Sequence, residues 1–504
     1  MNARADFLDA RAVVERLQAL GVPLDDLTAD SRAVKRGSVF VAYPGTVRDG
    51  RDFVGEAVAR GAAAVIWESE GFAWDARWTI PNVPVPGLRA RISEIAGSAY
   101  GDPSDALWMA GVTGTNGKTS VSQWIAAALD GLGRRSAVVG TLGNGLVGER
   151  VEARNTTPDA IVVQRLLADY LRRGARAVAM EVSSHGLDQE RVAGIKYDAA
   201  VFTNLTRDHL DYHGTMEAYA EAKFRLFSAR GLRHAVINVD DTWGSRFAGR
   251  LAGSGLDVVT FGAAAANDPR PRLRAAAIGL SESGVRFRLE SDWGAGDVEA
   301  GVLGAFNVSN LLAVAGTLLA AGIPFDDMRA ALGRLEPVAG RLERLGGGAM
   351  PLVVIDYAHT PDALDKALHA LRAVLRSAGG AGDRKLLCVF GCGGDRDAGK
   401  RPLMGEVAAR LADHVIVTSD NPRNEDPRAI IEQVMAGVGT RGAESIEDRQ
   451  VAIFTAVHQA RAGDVVLLAG KGHETYQEIA ALRHPFNDRE VAAAALAQWQ
   501  GAAR

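Results

Sequence analysis

Cysteine is almost missing from this chain, which holds only Cys388 and Cys392 in 504 residues. A small secreted scaffold stapled by disulfides needs more, so a reducing compartment is expected. The two thiols follow an apolar run, Lys385 to Phe390, and read as one buried and one loop thiol, not a metal or redox pair. No apolar run approaches the roughly 18 residues that cross a bilayer, so no membrane insertion is expected. Met1 to Asp6 carries an early acid and no long apolar stretch, unlike a signal peptide, and a cytoplasmic protein is expected. An excess of positive charge is lacking too. The 57 Lys and Arg against 61 Asp and Glu give a net charge of −4. That argues against a nucleic-acid partner while leaving room for small anions at a local basic patch. Short repeats and low-complexity tracts are also absent.

What remains is ordinary soluble composition, 47% apolar and 23% charged. At roughly 150 residues per domain the length allows about three domains. The first hundred residues read as a small α/β unit with strands at 38–43 and 61–68. Pro81, Pro84 and Pro86 then interrupt helix and central strand alike. A break at Gly101-Asp102-Pro103 places a boundary near 103. From there short apolar strands (107–112, 135–140, 177–182, 199–202, 234–239) alternate with Ala- and Leu-rich helices, which calls for a largely parallel sheet covered on both faces. Residues 271–303 alternate more and predict an antiparallel patch. Glu336 to Arg341 reads as a second linker. Beyond it strands at 352–355, 385–390, 414–418 and 464–469 alternate with helices, as in a doubly wound, Rossmann-like domain. The expectation is therefore an α/β protein of three domains, 1–103, 104–338 and 339–504, the central one of P-loop type.

The sharpest local signal is Gly111-Val112-Thr113-Gly114-Thr115-Asn116-Gly117-Lys118-Thr119-Ser120. A buried strand enters a glycine loop, then Lys-Thr, then a helix. Backbone N–H groups at such a loop and helix start face phosphate oxygens. Lys118 can reach the β/γ-phosphates and the Thr119 hydroxyl a Mg²⁺ ion. The full Walker spacing would put glycine at 112, where valine stands, so this is a shortened Gly-x-x-Gly-Lys-Thr variant. By itself the loop says only that a nucleoside triphosphate binds.

Glu181 ends the strand at 177–180, where open α/β sheets gather ligands. Another polar strand end, Thr203 to Asp211, contains His209. A carboxylate and an imidazole at neighbouring strand ends can hold Mg²⁺ against a triphosphate, whereas Asp208 and Asp211 read equally well as solvated charges. Lys223 lies near the apolar stripe of its helix. It reads as a snorkelling or ion-paired lysine, or as a partly buried amine with a lowered pKa that reacts with electrophiles; the sequence leaves both open.

Three separated signatures, Gly-Thr-Asn-Gly-Lys-Thr at 114–119, Glu181-Val182-Ser183-Ser184-His185 with Asn204 to Asp208, and Asp356-Tyr357-Ala358-His359-Thr360-Pro361-Asp362, resemble the Mur ligase family over essentially the whole chain. The resemblance implies an ATP-dependent amide ligase of peptidoglycan synthesis, hence of cell wall, cell shape and cell division. It implies a first domain that binds a UDP-sugar. Within the family it points to extension of UDP-N-acetylmuramoyl-L-alanyl-D-glutamate by a third residue. Asp420, Asn421, Pro422 and Arg423 resemble the selector for meso-diaminopimelate over L-lysine. Arg423 can hold the extra carboxylate bidentately, and a substrate lacking it leaves the guanidinium poorly paired.

The resemblance assigns further roles by motif. Lys118, His209 and Lys223 are the implied catalytic residues. Lys223 matches a lysine carbamylated by CO₂, which joins Thr119, Glu181 and His209 on Mg²⁺. ATP, the co-substrate, is implied to contact Gly114, Thr115, Asn116, Gly117, Lys118, Thr119, Ser120, Asn307, Asn310, Arg341 and Asp356. The UDP-muramoyl dipeptide is implied to meet Ser31, Thr46, Asn155, Thr156, Thr157, Ser183, Gln189 and Arg191. Diaminopimelate is implied to meet Arg396, Gly470 and Glu474 besides the 420–423 tetrad. The partners are small molecules and the expected state is a monomer. A folylpolyglutamate synthetase shares the chemistry but typically lacks a separate UDP-sugar domain. An L-lysine-adding ligase is opposed by the tetrad, and a nucleotide-gated switch by the ligand set at 119, 181, 209 and 223.

Overall fold

The computed structural model describes residues 9–45, 48–153, 155–263, 270–377, 384–439 and 443–499. Contacts group the chain into two units, residues 1–273 with 312–328, and 274–311 with 329–504.

The first unit carries two sheets. The smaller has four parallel strands in the order β1 (Leu27–Thr28), β2 (Val39–Ala42), β3 (Ala64–Glu68) and β4 (Asn82–Val85). Every residue of β2 and β3 is buried, as a parallel strand covered on both faces requires. Helices Ala10–Ala19 and Leu88–Ala99 lend Val13, Leu17, Leu88, Ile92 and Ile95 to its core. Asp9 starts the first of these by accepting from Ala12 N at 2.7 Å. The proline-dense segment still forms a strand. It lies at the sheet edge with Pro84 turned outward, and only there does a missing N–H cost no ladder bond.

The larger sheet of this unit runs β12 (Asp257–Gly262), β11 (His234–Asn238), β10 (Ala199–Phe202), β5 (Trp108–Thr113), β9 (Ala177–Glu181), β6 (Ser136–Gly140), β7 (Gly143–Leu146) and β8 (Glu149–Val151). It is parallel from β12 to β6, with an antiparallel turn-back through β7 and β8. Because β5 lies between β9 and β10, three strand ends open side by side. That is where the strand order reverses and ligands bind in such sheets. The core beneath them includes Met109, Val178, Met180, Tyr197 and Phe202.

In the second unit, β13 (Leu273–Ser281, whose first residue belongs to the first unit), β14 (Gly284–Ser291) and β15 (Gly294–Ala300) are neighbours, with β14 and β15 antiparallel in the Val285↔Ala300 register. The antiparallel patch expected at 271–303 is present. The main sheet runs β16 (Glu343–Gly346), β17 (Leu352–Asp356), β21 (Val465–Ala469), β18 (Leu386–Phe390), β19 (His414–Val417) and β20 (Ala443–Ser445), parallel except for β16. Separate apolar clusters cover its two faces, one built on Leu368, Phe390 and Val434, the other on Ile355, Ile453 and Leu468. The doubly wound expectation therefore holds. A hairpin of β22 (Tyr476–Ile479) and β23 (Leu482–Pro485) follows. Cys388 and Cys392 are both buried and unbridged, and burial pushes both thiols up, Cys392 to about 11. No helix among the described residues is long and apolar enough to cross a membrane.

One buried ion pair staples this unit. Arg449 and Asp488 have no exposed side-chain surface and pair at 2.6 Å, and Arg449 also donates to the Ala469 carbonyl at 3.0 Å. Removing one partner of such a pair strands the other charge, so Arg449→Ala is expected to lower unfolding free energy by about 3–5 kcal/mol in urea titrations. A loss below about 1 kcal/mol would contradict this account of the pair.

Candidate active site

At the exit of β5, Gly114 takes φ +149, and a Cβ there would lie 1.9 Å from Thr203 Oγ1. The loop is bound to the end of β10. Thr115 N donates to Asn204 O at 2.8 Å, Asn116 N donates to Asn204 Oδ1 at 3.0 Å, and Thr203 Oγ1 donates to Asn116 O at 2.6 Å. Gly117, at φ +86, begins helix Lys118–Gly131 without a side-chain cap, so the helix start presents backbone N–H groups and a positive dipole end. Lys118 Nζ donates to the carbonyls of Gly114 and Thr115, each at 2.9 Å. Thr119 is buried and its hydroxyl donates to Glu181 Oε2 at 3.0 Å, next to buried Ser120.

Glu181 has no exposed surface. Its carboxylate accepts from Thr119 Oγ1, Thr141 N at 2.8 Å and Thr141 Oγ1 at 3.1 Å. A Cβ on Gly140 would meet Glu181 Oε1 at 2.3 Å, so the strand end must be glycine to leave the carboxylate room. Lys223 is also buried, 1% exposed. Its Nζ donates to Gly114 O at 2.8 Å and lies 4.6 Å from the centre of the Tyr219 ring. Burial, helped by the Lys118 charge, holds this amine well below the usual lysine value. Of the sequence readings, the buried amine with a lowered pKa fits this setting and the solvent-reaching lysine does not. His209 sits at φ +51 with its ring edge-on to His185 at 4.9 Å and its Nε2 3.5 Å from Asp208 Oδ2. Burial lowers its pKa, against an opposing push from Asp208.

No group of three or more His, Cys, Asp or Glu with metal-holding geometry occurs among the described residues. The expected set contains only two residues of those types, Glu181 and His209. Its remaining donors are a hydroxyl and a modified amine. A buried carboxylate and a hydroxyl, both hard oxygen donors, beside a phosphate-type loop suit a divalent ion such as Mg²⁺, so the residues present fit it.

Next to Glu181 lies a second bonded group. Thr157 Oγ1 donates to Glu181 O at 2.9 Å and accepts from Ser183 N at 3.0 Å. Ser183 caps helix Ser184–Asp188, accepting from Gly186 N at 3.0 Å. Arg191 donates to Thr157 O at 2.7 Å and to Gln189 Oε1 at 2.6 Å. Thr156 pairs with Thr141 through their hydroxyls at 3.0 Å, and Asn155 is exposed. Six of the eight residues expected at the muramoyl dipeptide thus lie in one bonded or adjoining stretch. Ser31 lies in the four-stranded part of the unit, buried and donating to Glu56 Oε2 at 2.9 Å. Thr46 falls outside the described residues.

In the second unit the strand ends again carry the candidates. Asp356 closes β17 and accepts from Leu342 N and Ala358 N, each at 2.9 Å, with burial raising its pKa. The Arg341 guanidinium stands 5.1 Å from the Tyr357 ring centre. Asn307 donates to Leu303 O at 2.7 Å and Asn310 to Asn307 Oδ1 at 2.8 Å, both buried in one helix. After β19, Asn421 donates to Glu474 Oε2 at 2.8 Å. Lys471 Nζ bridges Asn421 Oδ1 at 3.1 Å and Glu474 Oε2 at 3.0 Å with no exposed surface. Asp420 is buried beside it, and burial raises its pKa against the Lys471 charge. Gly470 takes φ +109, where a Cβ would meet Asp420 Oδ2 at 2.6 Å. Arg423, at φ +50, donates to Gly394 O at 2.7 Å and pairs with Glu478 at 3.3 Å. Non-glycine residues at such φ persist where surroundings over-determine them, as at binding sites. Arg396 is exposed on the neighbouring loop, and Pro422 is buried. The sequence reading missed Thr141 and Lys471. Lys471 sits between Gly470 and Glu474, both named, but a lysine is rarely buried without a reason that sequence shows.

A P-loop variant on a parallel sheet, joined to a doubly wound unit with its own strand-end site, defines a class of ATP-dependent ligases. Family models for the Mur ligase family catalytic domain, the Mur ligase middle domain and the Mur ligase glutamate ligase domain match residues 24–100, 112–318 and 340–472. The chain belongs to the Mur ligase family and is an ATP-dependent ligase. It is 52% identical to the UDP-N-acetylmuramoyl-L-alanyl-D-glutamate--2,6-diaminopimelate ligase of Chromobacterium violaceum, over 96% of each chain. It is 51% identical to the like-named protein of Pseudomonas aeruginosa, over 94% of this chain and 95% of that one. A solved structure of a ligase of that name is similar at TM-score 0.69 and 38% identity, covering 94% of each chain. A folylpolyglutamate synthase of Mycobacterium tuberculosis, solved with ADP, shares the fold at TM-score 0.60 and 19% identity, over 76% of this chain and 91% of that one.

The Gly114 geometry yields a direct test. Gly114→Ala is expected to destabilise the protein by about 1–3 kcal/mol through forced overlap with Thr203. Thr203→Ala in the same chain should recover part of that loss, because the two sites touch. Equal stability of Gly114→Ala and the parent in thermal and urea unfolding would contradict the close approach.

Proposed function

We propose that the chain joins meso-diaminopimelate to the D-glutamyl side-chain carboxylate of UDP-N-acetylmuramoyl-L-alanyl-D-glutamate, consuming ATP, as a cytoplasmic monomer making peptidoglycan precursor. The observation that carries this reading is the 420–423 loop with its surroundings. It offers a guanidinium corner, Arg423 with Arg396 on the adjoining loop, and a carboxylate corner, Glu474 fixed by Asn421 and Lys471. Diaminopimelate brings a carboxylate and an ammonium at its far end, which match one corner each. The relatives above bear that activity in their names at about half identity.

In this reading the backbone N–H groups of 114–118 and Lys118 cradle the ATP phosphates and offset charge on the γ-phosphoryl as it moves. Lys118 would leave the loop carbonyls of Gly114 and Thr115 for the phosphates. Thr119, Glu181, His209 and carbamylated Lys223 would hold Mg²⁺, which supplies charge neutralisation on the triphosphate. The lowered pKa of Lys223 leaves a neutral amine able to attack CO₂. Its N–C bond forms as one C=O π bond of CO₂ opens, a proton is lost from nitrogen, and the neutral amine becomes an anionic carbamate suited to a metal. The substrate carboxylate attacks the γ-phosphorus and ADP departs, giving an acyl phosphate. The diaminopimelate amine attacks the acyl carbon, its proton leaves, and phosphate is expelled. Thr157, Ser183, Gln189 and Arg191 orient the dipeptide, while Asn307, Asn310, Arg341 and Asp356 serve the nucleotide. No protein side chain forms a covalent intermediate with substrate.

Phosphate release from ATP with the UDP-muramoyl dipeptide and single amino acids tests this. Release should require meso-diaminopimelate, with L-lysine weaker by roughly 10²-fold or more. Preference for L-lysine would overturn the reading of the tetrad, and release indifferent to both substrates would overturn the ligase reading of the site. Lys223 has its own test. Stripping CO₂ from the buffer should lower kcat and bicarbonate should restore it. Lys223→Arg should lose at least about 10²-fold in kcat and ignore bicarbonate. A CO₂-independent enzyme, or an active Lys223→Arg, would exclude the carbamate.

A further inference from the structure

Arg401 is a cation in a place that gives it no local reason to be. It lies in the first turn of helix Lys400–Leu411, the positive end of the helix dipole, and is 1% exposed. Burying a charge there is costly unless partners surround it. They do. Nη1 donates to Glu425 Oε2 and to Gln433 Oε1, both at 2.8 Å, while Nη2 donates to Glu425 Oε1 at 2.9 Å and to Gly393 O at 3.1 Å. Nε is buried with no hydrogen-bond partner. This fork grips two loops at once. Gly393 belongs to the turn after β18 that carries Arg396, and Glu425 follows the Asp420–Arg423 tetrad after β19.

The two loops meet at residues 393–395 and 421–425. Gly394 N donates to Asn421 O at 2.9 Å, Arg423 Nη1 donates to Gly394 O at 2.7 Å, and Asn424 Nδ2 donates to Asp395 Oδ2 at 2.8 Å. Glu425 Oε1 accepts from Asp395 N at 2.5 Å as well as from Arg401. A Cβ on Gly394 would meet Pro422 O at 2.0 Å, so the backbones touch. Arg401 therefore lies under a seam whose top carries Arg396 on one side and Arg423 on the other. The side chains of both approach Gly393, Arg423 Nη1 at 3.0 Å and Arg396 Cγ at 3.8 Å from its Cβ position.

We propose that Arg401, through Glu425 and Gly393, is the positioning residue that sets the separation of Arg396 and Arg423 and so the discrimination for an amino acid with a distal carboxylate. It rests on the reading of 420–423 as the amino-acid site. Lysine at 401 keeps the charge but cannot reach two carboxylate oxygens, an amide and a carbonyl together, since an ammonium lacks the planar fork. A second, milder variant, Glu425→Gln, keeps the volume and removes the charge on the partner.

Steady-state kinetics on the full chain, with ATP, the UDP-muramoyl dipeptide and either meso-diaminopimelate or L-lysine, tests the assignment. KM for meso-diaminopimelate should rise roughly tenfold or more in Arg401→Lys and several-fold in Glu425→Gln, with KM for ATP and for the nucleotide dipeptide within about twofold. The ratio of diaminopimelate to L-lysine use should fall in both. A parallel rise of all three KM values would make Arg401 merely structural and overturn the proposal. An unchanged diaminopimelate KM in folded Glu425→Gln would do so too, and this variant decides alone if Arg401→Lys does not fold. A parent enzyme indifferent to diaminopimelate would instead sink the amino-acid-site reading on which the proposal stands.

Discussion

A carboxylate with no exposed surface governs the first unit. Burying an ionised acid costs far more than burying a neutral group unless donors surround it. Glu181 has three such donors, from Thr119 and Thr141, and a glycine at 140 that gives way to it. Those demands fix the end of β9 relative to the ends of β5 and β6. They place the phosphate loop, seat Ser183 through Thr157, and leave a negative centre that a cation would complete. Buried Lys223, bonded to the same Gly114 carbonyl that Lys118 reaches, gives the loop its other fixed point.

The second unit meets the same cost of buried charge, here for both signs. Its strand ends gather carboxylates at 356, 420 and 474 together with buried cations at 401, 449 and 471. The cations are spent within the protein, on Glu425, Asp488 and Glu474. The loops between them are tied by the protein's own side chains. Preorganisation of that kind lets a site reject a near-isostere, since an absent group leaves a fixed partner unpaired.

Much of this was legible before any coordinates. Continuous apolar runs mark β2, β3, β5, β9 and four of the five parallel strands of the second unit closely, because a buried parallel strand has little freedom in composition, whereas the short, half-exposed β20 carries no such run. The loop at 114–119 is readable because its chemistry needs glycine, lysine and hydroxyl at fixed offsets. The edge strand β4 was obscured by Pro84, whose permission depends on which side faces solvent. Buried charges were harder still. The burial of Arg401, Arg449 and Lys471 left no mark in the sequence, since their acceptors come from residues 3 to 50 positions away. The two readings of Lys223 could be framed in sequence, but its burial, which disfavours a solvent-reaching side chain, could not be read there.

Oxygen transfer from substrate to phosphate tests the central claim, ligation through an acyl phosphate, most directly. The D-glutamyl side-chain carboxylate of the UDP-muramoyl dipeptide is labelled with ¹⁸O and a turnover is run with ATP and meso-diaminopimelate. The account predicts released phosphate carrying one ¹⁸O atom, because the carboxylate oxygen that attacks phosphorus leaves with it. Unlabelled phosphate alongside amide product would contradict it.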